Sequence, residues 1–166
     1  MDRDVVLAAA LGAAVAAGCT TSERPAPEPT AAVTPTPTAV PEDPDVVALR
    51  SWLAAERRLA ARYAAVVRQV PALRPLRVNH TTRATALTDH LRARGVDPGP
   101  AATVAPLRGK PGTVVRTLAR AERDLAAAYV ATLPKVGDTA VLLLGAEFAA
   151  GARQHAVVLA QVEVPR

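Results

Sequence analysis

The chain has 166 residues, 50% of them hydrophobic, 21% charged and only 2% aromatic, with 15 Pro, a single Cys and a formal net charge of +5. One Cys excludes a disulfide scaffold and a zinc ribbon, the length suits one modest domain, and four aromatic residues leave almost nothing to stack on nucleic acid. The charge is segregated, since residues 46–166 hold 18 Lys and Arg against 8 Asp and Glu, whereas residues 20–45 hold one Arg against five acids.

An unbroken apolar run, Val5 to Ala17, follows the first four residues. At about 1.5 Å per helical residue it cannot cross a hydrocarbon core of about 30 Å, but it matches the apolar region of a secretory signal peptide. It ends in Ala16-Ala17-Gly18-Cys19, which resembles the lipobox of bacterial lipoproteins. The resemblance implies that residues 1–18 are removed, that Cys19 is lipidated, with palmitate among its acyl groups, and that the protein sits on the extracytoplasmic face of the cell membrane. Thr20 to Asp45 holds seven Pro among Thr, Ala and acids, a composition that buries no core and favours extended conformations. With Cys19 it reads as a tether, residues 19–45, able to reach up to roughly 80 Å.

From Val46 to the C-terminus, apolar residues recur at helical spacing. The first stretch, about 46 to 70, carries Leu49, Trp52, Glu56, Leu59, Tyr63, Val66 and Val70 on one stripe and ends at Pro71. The second, about 75 to 94, carries Leu76, His80, Ala84, Leu87 and Leu91 before Gly95. A Pro-rich loop, Gly95 to Gly112, leads to a third helix, about 113 to 133, with Val115, Leu118, Glu122, Leu125 and Tyr129. A fourth follows an Asp138 N-cap and runs to about 162, with Val141, Leu144, Phe148, Gly151, His155, Val158 and Val162 in register.

The first and third helices repeat each other at an offset of 66. Ala55-Glu56-Arg57, Leu59-Ala60-Ala61 and Tyr63 correspond to Ala121-Glu122-Arg123, Leu125-Ala126-Ala127 and Tyr129. Each is followed by a short Pro-containing turn and a second helix bearing a His, so His90 and His155 become counterparts. The pattern predicts two related αα-hairpins, and the loop between them can return along a whole bundle helix. One long crossover is the expected topology of this all-α, antiparallel four-helix bundle, with up-down-up-down the alternative.

Glu56 and Glu122 stand in apolar seams, where an ionised carboxylate must be paired, hydrogen-bonded or bound to metal. Two hairpins, a Glu on each first helix, a His on each second and a long crossover resemble the ferritin-like superfamily over about residues 46 to 162. That resemblance implies metal ligands at Glu56, His90, Glu122 and His155. The ExxH glutamates of its di-iron members are replaced by Leu87 and Ala152, so at most one divalent ion is expected, and a structural role for both Glu, bonded to Arg, His or the Tyr63 and Tyr129 hydroxyls, is favoured. His80 reads as a core histidine satisfied by neighbours.

Arg dominates the basic residues, mostly on faces opposite the apolar stripes. A domain at about +10 beside a membrane attracts anionic lipid headgroups or cell-wall polymers. Gly-rich phosphate loops, GxSxG and CxxC are missing, so the expectation is a non-catalytic binding or structural module rather than an enzyme. The alternatives are a metal-binding protein with redox or storage chemistry, and an electrostatic binder of anionic polymers or lipids. Nucleic acid is not an expected partner.

Overall fold

The computed structural model describes residues 42–101 and 103–163. The expected signal peptide, Cys19 and nearly all of the tether lie outside the described residues. Every regular element is helical: α1 spans Pro44–Val66, α2 Arg74–Ala93, α3 Pro111–Thr132 and α4 Thr139–Gln161, with single 3-10 turns at Pro71–Leu73 and Leu133–Lys135. Among the described residues no helix is long and apolar enough to cross a membrane.

The helix boundaries follow capping chemistry. Two residues assigned to the tether, Pro44 and Asp45, belong to α1, because Asp43 caps the helix by accepting from the Asp45 N–H at 2.8 Å and Pro44 takes the first-turn position, where an N–H would have no partner. Pro111 opens α3 for the same reason, two residues earlier than the periodicity predicts. The first helix stops at Val66, short of the expected 70, and the chain turns before Pro71. Asp138 caps α4 as expected, accepting from Ala140 N at 2.7 Å and Val141 N at 3.3 Å. Gly95 closes α2 with φ +70°, and the Val96 N–H reaches back to the Leu91 carbonyl, the arrangement of a Schellman cap.

The main packing is pairwise, α1 along α2 and α3 along α4, with α1 and α3 touching across the middle. Leu49, Trp52, Leu53, Tyr63, Leu87, Leu91, Leu118 and Tyr129 form the fully buried centre. In a core built mostly from Ala, Val and Leu, Trp52 is the largest side chain, tilted against Tyr129 at 5.1 Å. It fits because α4 has no side chain at Gly145, where a Cβ would stand 2.5 Å from the Trp52 ring. The buried Asp45 carboxylate accepts from Gly137 N at 2.8 Å and Asp138 N at 3.1 Å, so α1 and α4 begin side by side. Arg94, just past α2, pairs with Asp138 at that same end. Residues 98–100 of the connection between α2 and α3 lie on α1, where Arg57 donates to the carbonyls of Pro98, Gly99 and Pro100 at 3.0 to 3.3 Å.

Candidate functional site

Glu56 and Tyr63 lie seven residues apart on the buried stripe of α1, and Glu122 and Tyr129 repeat that spacing on α3. Seven residues is about 10.5 Å of helix, too far for a Glu to bond its own Tyr. The pairs therefore cross: the Tyr63 hydroxyl donates to Glu122 Oε1 and the Tyr129 hydroxyl to Glu56 Oε1, each at 2.7 Å.

His80, on the buried face of α2, lies between the two carboxylates. Its Nδ1 is 2.5 Å from Glu56 Oε2 and its Nε2 is 2.7 Å from Glu122 Oε1, with the ring stacked on Tyr63 at 5.2 Å. Ionised carboxylates only accept, so both ring nitrogens donate and His80 is an imidazolium. Burial opposes that charge but is outweighed by the hydrogen bonds to Glu122 and Glu56, and the His80 pKa is pushed up to about 9. Burial likewise works against a charged Glu122, yet the nearby His155 ring, hydrogen bonds from His80 and Tyr63, and the His80 charge hold it down to about 2. Burial, then the neighbouring carboxylates, raises both tyrosines above the ordinary phenol range, so they stay neutral donors.

His155 enters from α4, its ring edge-on to His80 at 5.1 Å. Its Nε2 lies 3.2 Å from the Asn79 amide nitrogen and its Nδ1 3.4 Å from Glu122 Oε1. Arg83 completes the cluster from its edge, with Nη1 3.8 Å from Glu56 Oε1 and the guanidinium 5.1 Å above the Phe148 ring. Gly151 makes room for it, since a Cβ there would fall 1.8 Å from Arg83 Nη2. Two carboxylates thus face two cations, His80 and Arg83, in an interior where an unbalanced charge would cost several kcal/mol.

Three of the four expected ligands, Glu56, Glu122 and His155, meet here; His90 does not. It lies in the last turn of α2, half-exposed, ten residues and about 15 Å of helix beyond His80. The His80 position was legible, because it shares a stripe with Leu76, Leu87 and Leu91, all buried. Matching histidines through the repeat pointed to the wrong one, since the second helices do not preserve the equivalence of the first. Glu147 stays exposed on α4.

The residues do not fit a carboxylate-bridged metal pair. Leu87 and Ala152 are fully buried apolar side chains, Arg77 stands exposed three residues before His80, and both available carboxylates already hold a Tyr and a His. A single ion is another matter, because ligand atoms of His80, Glu122 and His155 lie within 4.8 Å of one another and can hold a metal. Glu122 Oε2 and His155 Nδ1 are also buried without a hydrogen-bond partner among the described residues. Glu56, His80 and Glu122 are fully buried and His155 is 5% exposed.

No family model matches the chain, and no curated protein matches it either. Among solved structures it is similar to the crystal structure of a conserved hypothetical protein, rv2844, from Mycobacterium tuberculosis, with a TM-score of 0.65 and 22% identity over 75% of this chain and all of that one. At that identity the likeness concerns the fold alone.

Proposed function

We propose that the chain is an exported, lipid-anchored protein whose ferritin-like domain serves the cell envelope as a non-catalytic binding or structural module. The observation that carries this reading is the closed network itself. Where a ferritin-like enzyme needs free carboxylates, Glu56 and Glu122 each already hold a tyrosine hydroxyl and the His80 imidazolium. The crossed pairs fit α1 and α3 running antiparallel, and the common start of α1 and α4 at Asp45 fits a crossover between two hairpins. The export half rests on the Val5 to Ala17 run, Cys19 and the Pro-rich segment after it. Two measurements test it. The purified protein should carry no stoichiometric iron and show no ferroxidase turnover, and iron with turnover would overturn the non-catalytic reading. Labelling with a palmitate analogue should mark the protein and be lost in Cys19→Ser; unlabelled native protein would overturn the anchor.

A second reading, a single divalent ion, is favoured by the partnerless Glu122 Oε2 and His155 Nδ1. His80 Nε2, Glu122 and His155 would hold the ion, while Glu56 would accept from His80 Nδ1 and orient the ring. Such an ion would supply Lewis acidity or cross-linking of α2, α3 and α4. Cobalt(II) titration tests it: a ligand-field spectrum saturating at one equivalent and lost in His155→Ala is expected, and an unchanged aquo-ion spectrum would end this reading.

A further inference from the structure

We propose that the groove between α3 and α4 binds an anionic phospholipid, with the phosphate on its arginines and an acyl chain along its floor. Arg116, Arg120 and Arg123 recur at spacings of four and three, so one face of α3 presents all three, and Arg153 of α4 stands in the same groove. All four are exposed, and among the described residues no Asp or Glu lines the groove. Arg50 pairs with Glu42, Arg94 with Asp138, and Arg57 donates to three loop carbonyls, while Arg68, Arg74 and Arg77 line a smaller groove of about 590 Å³ beside α1 and α2. Among the described residues none of the four on α3 and α4 makes an ion pair, and Arg116 bonds only the Thr113 hydroxyl, at 3.2 Å. Guanidinium groups held free of acids match a phosphate diester in charge and in fork geometry.

The floor separates a lipid from a soluble polyanion. Buried Ala126, Ala156 and Leu159 form an apolar trough, and Val157 beside it is 59% exposed. A trough of about 800 Å³ continues past Arg123 and Ala160 into one of about 570 Å³, room for a headgroup and the first part of a chain. A polymer of phosphates would use the arginines and leave that surface wet. The inference rests on the envelope reading only for where such a lipid is met; binding itself does not require Cys19.

The test uses the full chain and a soluble probe, dihexanoylphosphatidylglycerol below its micellar concentration, followed by calorimetry and by amide shift mapping. We expect shifts on α3 and α4, and affinity about tenfold or more above that for dihexanoylphosphatidylcholine and for glycerol 3-phosphate. Arg120→Gln/Arg123→Gln/Arg153→Gln should weaken binding about tenfold, while Arg68→Gln/Arg74→Gln/Arg77→Gln, which removes the same charge beside α1 and α2, should change it by less than about twofold. Equal affinity for the phosphocholine lipid, equal affinity for glycerol 3-phosphate, equal loss in both triple variants, or shifts away from the groove would each overturn the proposal. The mapping on native protein decides the matter even where a triple variant folds poorly. Failure here leaves palmitate labelling at Cys19 untouched, so the two readings fall separately.

Discussion

The Tyr129 hydroxyl of α3 meets Glu56 of α1 at 2.7 Å, and Tyr63 and Glu122 repeat the bond at 2.7 Å with the helices exchanged. Each carboxylate thus takes its tyrosine hydrogen bond from the other repeat. The buried cluster acts as a clamp between the pairs α1–α2 and α3–α4, which also meet at Asp45 with Gly137 and Asp138 and where Trp52 packs at Gly145.

Removing one hydroxyl tests the clamp. Tyr63→Phe keeps the ring against His80 but takes a donor from a buried carboxylate, and Tyr129→Phe does the same for Glu56. Hydrogen bonds to charged groups contribute about 1.5–3 kcal/mol, so each variant should lose roughly that much in urea unfolding, by similar amounts in the two repeats. A loss confined to one variant would show that the pairs are not equivalent.

His80 holds a greater share, because it supplies the positive charge between both acids. His80→Leu should destabilise by about 3–5 kcal/mol, the usual consequence of stranding buried charge. Adding Glu56→Gln and Glu122→Gln should recover part of that loss, since neutral amides no longer need the cation. If the triple variant is less stable than His80→Leu alone in denaturant unfolding, charge compensation is not what His80 provides.

Much of this was legible in the sequence. The stripes placed Trp52, Tyr63, Leu118 and Tyr129 in the core, and the repeat singled out Glu56 and Glu122 as a related pair facing inward. The crossing of the tyrosines was not, because periodicity gives the face of a helix but not which neighbour it meets or in which direction. His90 was preferred to His80 for a similar reason: counting residues from Tyr63 and Tyr129 assumes that α2 and α4 enter the core in equivalent register, and they do not. The α3–α4 groove was invisible as a site, since periodicity does not show that Arg116, Arg120 and Arg123 of α3 and Arg153 of α4 border one continuous trough.

The same network sets a pH window. His80 faces Glu56 and Tyr63 from α1, Glu122 from α3, His155 from α4 and, through Glu56, Arg83 of its own helix. Its pKa is raised from 6.5 to about 9, so its contribution is complete below about 6.5 and is lost as pH rises through about 9. Glu122 is lowered from 4.5 to about 2, so its contribution is complete above about 4.5 and is lost as pH falls through about 2. Unfolding free energy should therefore be highest between about pH 4.5 and 6.5 and decline on the alkaline side well before the tyrosines titrate. Urea midpoints across pH 3 to 10 check the shape, and His80→Leu should flatten the alkaline limb; an unchanged limb in that variant would assign it to other groups.

Two glycines of α4 separate rigid from yielding packing. Replacing a mid-helix Gly by Ala gains about 1 kcal/mol of helix propensity when nothing stands in the way. At Gly145 the new methyl would lie 2.5 Å from the Trp52 ring and 2.8 Å from Leu133, and Trp52 is wedged against Tyr129, so the neighbours cannot yield without opening the core. Overpacking there should cost about 1–3 kcal/mol and outweigh the propensity gain. At Gly151 the methyl would meet only the end of Arg83, at 1.8 Å from Nη2, and a partly exposed guanidinium can swing outward. Gly151→Ala should therefore cost less than Gly145→Ala, because the helix-propensity gain offsets part of what is lost when Arg83 leaves Glu56 and Phe148. Thermal unfolding of the two variants side by side checks the order, and Gly151→Ala proving the more damaging would mean that Arg83 is as fixed a part of the core as Trp52.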